Sequence, residues 1–507
     1  MKAIKFVVLT LLILLLSACA SAPKQNQPET IESQLRAGLV SHPEDLTFPD
    51  AQIKVPDASK YRYQLAGGNV AYIVPDSSLP LVAVTVNTRA GRYMLNASDA
   101  GLAGLTASMM RDGGTKNLSP EELDEKLEFL ATTIGIHIGN TSSSANMNSL
   151  SVNLDESLEL LFDVMAEPRF DKERLSIKKA QTIEAMKRRN DDTRNIERLV
   201  FNEMRFGADS YRSFQATEAQ IEAINSKKMA AYAAKVFASP NLVIGVNGDV
   251  DPVAMVAILN KQIARLNKGV KLPPIPTQAQ AVPAGLYGVN KDDVTQTRVR
   301  MFHPGPRRGD PQEFAIKVMN NILGGGGFSS RITKRVRSDE GLAYSAGSAY
   351  PLGNYYPGMY LAYFQSKNQS VPEASKIVLE EIARIKTEAV TEKELNTAKQ
   401  AVISVLNERY SNASRKVTAF TNDHLLKTPA DYWQNYEANT SAVGIAEVLT
   451  AAQDNLHPEQ LRILITGKLA EAVKGDGESG SIEDVTGMKL QQIPLRDPLT
   501  LEALPLD

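Results

Sequence analysis

Gly101-Leu102-Ala103-Gly104-Leu105-Thr106-Ala107-Ser108-Met109-Met110-Arg111-Asp112-Gly113-Gly114-Thr115 is the stretch whose reading decides the fold. It reads as a helix, set after a run, Leu81 to Thr88, that alternates apolar and polar residues as a half-buried strand does. Gly104 and Ala107 have no side-chain donor atom, and Ser108 offers only a neutral hydroxyl, a poor metal ligand.

Upstream, Tyr61-Arg62-Tyr63-Gln64-Leu65 and Asn69-Val70-Ala71-Tyr72-Ile73-Val74 flank Ala66-Gly67-Gly68 in a hairpin pattern. Downstream, Ser119-Pro120-Glu121-Glu122 marks a helix start, with a serine cap and an early proline. Ile134 to Ile138 and Asn148 to Asn153 read as paired strands joined by a Ser/Asn-rich turn. Glu156 to Met165, Lys172 to Arg189 and Thr217 to Phe237 read as helices, and Asn241 to Asp249 as a buried strand ending in a turn. A proline-dense segment, Lys271-Leu272-Pro273-Pro274-Ile275-Pro276 through Pro283, then reads as a linker.

The second half repeats the first in outline. Thr295 to His303 resembles the strand Leu81 to Thr88, Val390 to Leu395 mirrors Phe170 to Leu175 at an offset of 220, and Leu461 to Gly467 mirrors Leu242 to Gly248 at 219. A common offset argues for a duplicated unit. The expected class is α+β: two tandem homologous units, each a mixed or mostly antiparallel sheet backed by helices. The expected segments are 1–18, 19–55, a first domain 56–270, a linker 271–288, a second domain 289–480 and a surface-packed tail 481–507.

Composition narrows the function classes. A length of 507 residues is too great for one ordinary core. A net charge of −2 carries no basic excess for nucleic acid. One cysteine excludes an intramolecular disulfide and a cysteine-rich metal cluster, and the five histidines (His42, His137, His303, His424, His457) include no pair at helical ligand spacing. His137 and His303 read as structural.

The cysteine has another use. Met1-Lys2-Ala3-Ile4-Lys5 supplies positive charge, Phe6 to Leu16 is apolar apart from Thr10, and Leu16-Ser17-Ala18-Cys19 resembles a bacterial lipobox. The resemblance implies cleavage before Cys19, its lipidation, and a bacterial envelope location. Ala20 and Ser21, in place of Asp, point to the outer membrane, facing the periplasm. Residues from Ala20 to about Pro56, rich in Ser, Pro, Gln and Glu, read as a tether.

A second informative stretch runs Leu323-Gly324-Gly325-Gly326-Gly327-Phe328-Ser329-Ser330-Arg331 and on through Arg337-Ser338-Asp339-Glu340-Gly341-Leu342-Ala343-Tyr344-Ser345. It is not a phosphate loop, because no Gly-Lys-Ser/Thr follows the glycines.

Together the two stretches resemble the inverzincins, the pitrilysin/insulinase peptidases, over Pro56 to Gly467. The first resembles the family helix G-L-A-H-x-x-E-H-M-x-x-x-G-T, in which two histidines grip zinc and the glutamate is the general base. Gly101, Leu102, Ala103, Met109, Gly114 and Thr115 keep the frame, while Gly104, Ala107 and Ser108 stand at the chemical positions. The family's remaining ligand, a glutamate on a later helix, corresponds to Ala185 or, shifted by one, to Glu184 as a relic. The neighbouring Lys187-Arg188-Arg189 and Asp191-Asp192 read as surface charge. The second stretch resembles the family's second-domain signature, whose Arg/Tyr pair, here Arg337 and Tyr344, faces the zinc in catalytic members. Its glycines Gly324, Gly325, Gly326 and Gly327, with Phe328, Ser329 and Ser330, correspond to a substrate-binding loop.

The resemblance implies a bilobed half-clamshell and a division of labour. In the heterodimeric branch of the family one subunit holds zinc, and the other lacks the motif and supplies the Arg/Tyr pair, the two closing around an unfolded peptide. This chain is expected to be the second kind: no metal or cofactor of its own, zinc in a related partner, unfolded peptides as cargo, and no cleavage alone. A scaffold or chaperone-like envelope protein of the same fold is the alternative, and a self-sufficient metallopeptidase with unusual ligands is a third.

Overall fold

The alternation in Leu81–Thr88 does what the pattern demands: Val82, Val84 and Val86 are buried on one face while Leu81, Ala83, Thr85 and Asn87 are more exposed. The computed structural model describes residues 54–277 and 280–506, together with positions 40, 42 and 46. The expected signal peptide 1–18, Cys19 and nearly all of the tether 19–55 lie outside the described residues.

Two six-stranded sheets carry the chain. The first is built from β1 (Arg62–Gln64), β2 (Val70–Pro75), β3 (Leu81–Thr88), β4 (Thr133–Ile138), β5 (Ser143–Leu150) and β6 (Leu242–Gly248), in the order β1-β2-β6-β3-β5-β4. The second comprises β7 (Gly285–Asn290), β8 (Gln296–Gly305), β9 (Ala343–Ala349), β10 (Gly358–Lys367), β11 (Arg462–Gly467) and β12 (Leu490–Gln492), in the order β12-β7-β11-β8-β10-β9. From the second strand of each sheet onward the two orders correspond position for position. In each, one parallel pair (β2 with β6, β7 with β11) is followed by antiparallel neighbours. The mixed sheet and the duplication are thus both present.

Helices α1 (Leu102–Asp112), α2 (Pro120–Phe129), α3 (Leu154–Ala166), α4 (Lys172–Lys187), α5 (Thr193–Phe206), α6 (Glu218–Ala223), α7 (Ser226–Val236) and α8 (Pro252–Ile263) belong to the first half. The second half holds α9 (Glu313–Asn320), α10 (Val371–Thr387), α11 (Glu392–Arg409), α12 (Ala413–Leu426), α13 (Tyr436–Ser441), α14 (Ile445–Asn455), α15 (Leu469–Ala472) and α16 (Ile482–Thr486), besides short helical turns. One face of each sheet packs on helices of its own half: Val84 and Val86 share a core with Met109, Leu161, Phe162 and Met229.

The opposite faces are covered by exchange. Helix α12 lays Val417, Phe420 and Leu425 on Val70, Tyr72, Val74 and Val243 of the first sheet. Helix α5, its counterpart 220 positions earlier, lays Ile196, Phe201 and Met204 on Tyr287, Val289, Phe302 and Leu464 of the second. The fit at α12 is close enough that a Cβ on Gly245 would lie 2.3 Å from Val417 Cγ1. At α5, Glu197 is 1% exposed and accepts a hydrogen bond from Arg298 Nε at 3.0 Å. Arg300 Nε is 3.1 Å from the same carboxylate oxygen but without hydrogen-bonding geometry, and its guanidinium stacks over Phe201. Burying both faces explains why β2 and β6 read as continuous apolar runs.

Four expectations need correction. The helix expected over Thr217 to Phe237 is two helices, because Asn225 breaks the run and caps α7 by accepting from the Lys228 N–H. The strand expected at Asn148 to Asn153 starts at Ser143 and stops at Leu150, after which Ser151–Asn153 turns into α3. The end of the expected linker is already sheet, since β7 begins at Gly285. The tail after Ser481 folds into α16 and adds β12 parallel to β7.

Candidate functional site

Helix α1 buries Leu102, Ala103, Leu105, Thr106, Met109 and Met110, which leaves Gly104 and Ser108, one turn apart, facing outward. They line a cleft of about 630 Å³ with Lys178, Thr182, Ala185 and Arg189, a single stripe down α4. The structure thus brings Gly104, Ser108 and Ala185 together around one cleft. Ala107 packs against the core instead of lining the cleft. Glu184 points elsewhere, exposed and paired with Lys187 across the helix surface, so Ala185 is the position that faces the seat.

Gly104, Ala107 and Ala185 supply no donor and Ser108 one hydroxyl, so these residues do not fit a zinc ion. Among the described residues, no group of three His, Cys, Asp or Glu side chains is placed to hold a metal. A Cβ built on Gly104 would meet nothing within 4 Å, so the space beside it is open. What surrounds the seat is positive: Arg92, Lys178, Arg189 and Arg198 line the cleft with Asp99 as the carboxylate. Arg189, expected as surface charge, is half-buried and donates to the Pro498 carbonyl at 2.8 Å. Burial, and the nearby Arg198, push its pKa below the ordinary arginine value. No local motif flagged Arg92 or Arg198, which reach the cleft from different elements.

The second constellation lies along β9, an edge strand. After α9 the backbone widens through Asn321–Gly325 and passes so near β9 that a Cβ on Gly324 would sit 2.5 Å from the Ser348 nitrogen. Ser329 Oγ and Ser330 Oγ donate to the Gly326 and Gly327 carbonyls at 2.9 and 2.7 Å, tying the loop to itself. Gly324 and Ser330 are buried, so the loop's accessible part is Gly325, Gly327, Phe328 and Ser329. Arg331, for which the motif predicts no separate role, forks onto Glu394 at 2.7 and 3.0 Å and pins the loop to α11. Burial works to raise the Glu394 carboxyl, yet Arg331 and the Thr391 N–H hold it down at about 2.

Beyond that anchor, the Arg337 guanidinium lies between two rings, 4.5 Å from the centre of Phe328 and 4.4 Å from that of Tyr344. Phe328 is 67% exposed and Tyr344 81%. Neither Arg337 nor the Tyr344 hydroxyl has a hydrogen bond or ion pair among the described residues. These cation–π contacts leave the guanidinium N–H groups without an oxygen acceptor among the described residues. Neither residue lines the Gly104 cleft. His303 is structural: it is 1% exposed, its Nδ1 donates to the Pro304 carbonyl at 2.7 Å, and its Nε2 accepts from the His457 N–H at 3.2 Å. Burial pushes its pKa down to about 4. His137 stands exposed on β4.

Comparison with known proteins bears on the fold and the family. A family model described as the peptidase M16 inactive domain matches residues 223–402. A Helicobacter pylori protein described as the non-peptidase homolog YmxG is 25% identical over 380 residues, 73% of this chain and 85% of its own. The solved peptidase M16 inactive domain from Pseudomonas fluorescens has a TM-score of 0.70 at 23% identity, covering 80% of this chain and 98% of that one. The periplasmic protease PqqL of Escherichia coli has a TM-score of 0.69 at 14% identity, covering 88% of this chain but 51% of its own. At these identities the two structures speak for the fold alone. Over residues 223–402 the chain matches the peptidase M16 inactive domain, and it resembles M16 (pitrilysin/insulinase) homologues over most of its length, with no metal-binding side chain at Gly104, Ala107 or Ala185.

Proposed function

We propose that this chain is the zinc-free subunit of an envelope peptidase complex, enclosing unfolded peptides and presenting Arg337 and Tyr344 to an active site whose zinc is held by a related partner chain. The observation that carries the reading is Arg337, in contact with the exposed Phe328 and with Tyr344 of edge strand β9, and with no hydrogen-bond or ion-pair partner among the described residues. Each ring contact is worth about 0.5–1 kcal/mol at an exposed site, enough to orient the guanidinium without consuming its donors. In this arrangement the Arg337 N–H groups hold a substrate carbonyl and the Tyr344 hydroxyl donates to the oxyanion that forms from it. Edge strand β9, apart from the Ala346 carbonyl that accepts from Thr333 Oγ1 and the stretch at Ser348 that the glycine loop covers, offers backbone on which an extended peptide adds as a further strand. The partner's zinc supplies the Lewis acid and the activated water that this chain's residues cannot.

Two further findings support the assembly. The chain corresponds to 51% of the length of PqqL, so a second bilobed chain brings the total to one such molecule. The lipobox-like Leu16-Ser17-Ala18-Cys19 supports a membrane-tethered complex, and PqqL is itself periplasmic. The decisive experiment is to pull down a bilobed partner bearing an intact H-x-x-E-H and assay peptide cleavage by each chain and by the mixture. Cleavage by the mixture alone supports the proposal; chelator-sensitive cleavage by this chain alone refutes it.

A further inference from the structure

The cleft framed by Gly104, Ser108 and Ala185 is lined by positive charge. Arg92 comes from the turn before α1, Arg189 from the turn after α4 and Arg198 from α5, and all three line the same cleft. Arg92 donates to the Phe214 carbonyl at 3.0 Å and Arg189 to the Pro498 carbonyl at 2.8 Å. Arg198, exposed, has no hydrogen bond or ion pair among the described residues. The other charges are already matched: Lys178 lies 3.3 Å from Asp112, and Asp99 lies 3.8 Å from Lys228. Three guanidinium groups therefore share one cavity with no carboxylate of their own. Burial and the charge on Arg198 both work against the charged forms of Arg92 and Arg189. Such an arrangement repels a cation and stabilises an anion that enters.

The walls say which anion. Leu95, Leu105, Leu199, Phe214 and Ile221 also line the cleft and give it apolar surface suited to a side chain beside the charge. Ile138, the last residue of edge strand β4, also lines it. We propose that the cleft framed by Gly104, Ser108 and Ala185 is a carboxylate-recognition site for peptides, in which Arg198, with Arg92 and Arg189, grips a C-terminal carboxylate or an Asp/Glu side chain. Guanidinium forks match a carboxylate's two oxygens, and each charge-assisted bond is stronger than a neutral one. The inference rests on the peptide-handling reading above, and it turns the lost catalytic seat into a grip on substrate.

The test is fluorescence anisotropy with the full chain and one dye-labelled unfolded peptide in three forms: free C-terminal acid, C-terminal amide without acidic residues, and the same amide with one internal Glu. At least one acidic form is expected to bind about tenfold tighter than the neutral amide, and which one does identifies the carboxylate's source. R198Q, which removes an exposed and unpartnered side chain, is expected to erase most of that gap, while E184Q on the far side of α4 leaves it intact. Equal binding of all three forms, a gap indifferent to R198Q, or stronger competition by inorganic phosphate than by acetate overturns the carboxylate site while leaving the peptidase-subunit proposal standing. A carboxylate preference in a chain whose mixture with the partner never cleaves has the opposite meaning. Absence of binding by every form overturns both.

Discussion

Gly245 on β6 is where the exchange of helices between halves is most exposed to a single methyl group. In Gly245→Ala the new Cβ would lie 2.3 Å from Val417 Cγ1 and 3.2 Å from Thr421 Cγ2 on α12. Ordinary contact begins near 3.4 Å, so one partner must retreat by about 1 Å. Val417 cannot rotate away cheaply, because a β-branched side chain in a helix has one favoured rotamer. The overpacking penalty is about 1–3 kcal/mol. Against it stands about 0.4–1 kcal/mol gained by restricting the unfolded chain at a former glycine. Overpacking wins, with a net loss of about 1–2 kcal/mol in urea denaturation. Val417→Ala alone removes two buried methyl groups at the same contact and costs about 2 kcal/mol. In the double variant the methyl added at position 245 enters the space Val417 vacates, so the combined loss falls short of the sum by about 1–2 kcal/mol. Additive losses, or no loss in Gly245→Ala, would refute the claim that α12 seals the first sheet and welds the halves together.

Three other outcomes follow from the site and its surroundings. His303 has a folded-state pKa of about 4, below its unfolded value near 6.5, so the unfolded chain takes up a proton in that window and the folded one does not. Stability therefore falls as pH drops from 6.5 toward 4, by about 2–3 kcal/mol in all; thermal melts of His303→Gln across that range are expected to show a smaller acid loss. Rebuilding the seat as Gly104→His, Ser108→His and Ala185→Glu is expected to confer stoichiometric zinc binding in calorimetry, since a side chain at Gly104 enters open space. Adding Arg198→Gln to that variant is expected to tighten it by removing an opposing charge.

Much of the architecture was legible because it is local. The alternation of β3, the Ser119 cap with its following proline, and the glycine turn between β1 and β2 each announce themselves within a few residues. The repeat was legible because duplicated elements keep their spacing. What escaped is tertiary. Nothing in Thr193–Phe206 or Ala413–Leu426 tells which sheet each helix will cover, since an apolar stripe names no partner. Asn225 interrupts a run of good helix formers through its cap, and β12 is too short to show a period. The site divides in the same way. Gly104, Ser108, Arg337 and Tyr344 belong to contiguous patterns, whereas Arg92, Arg189 and Arg198 meet only after three elements have packed, and Arg189 alone looks like one more charge in a charged run.

The central claim is that Arg337 acts on a peptide whose cleavage depends on another chain's metal. Its most direct test is single-turnover peptide cleavage by the reconstituted pair with Arg337→Ala, alongside a measurement of how tightly the two chains associate. A fall of about 10²–10³ in rate with association unchanged is the predicted result. Cleavage at the wild-type rate, with the pair equally well assembled, would contradict it.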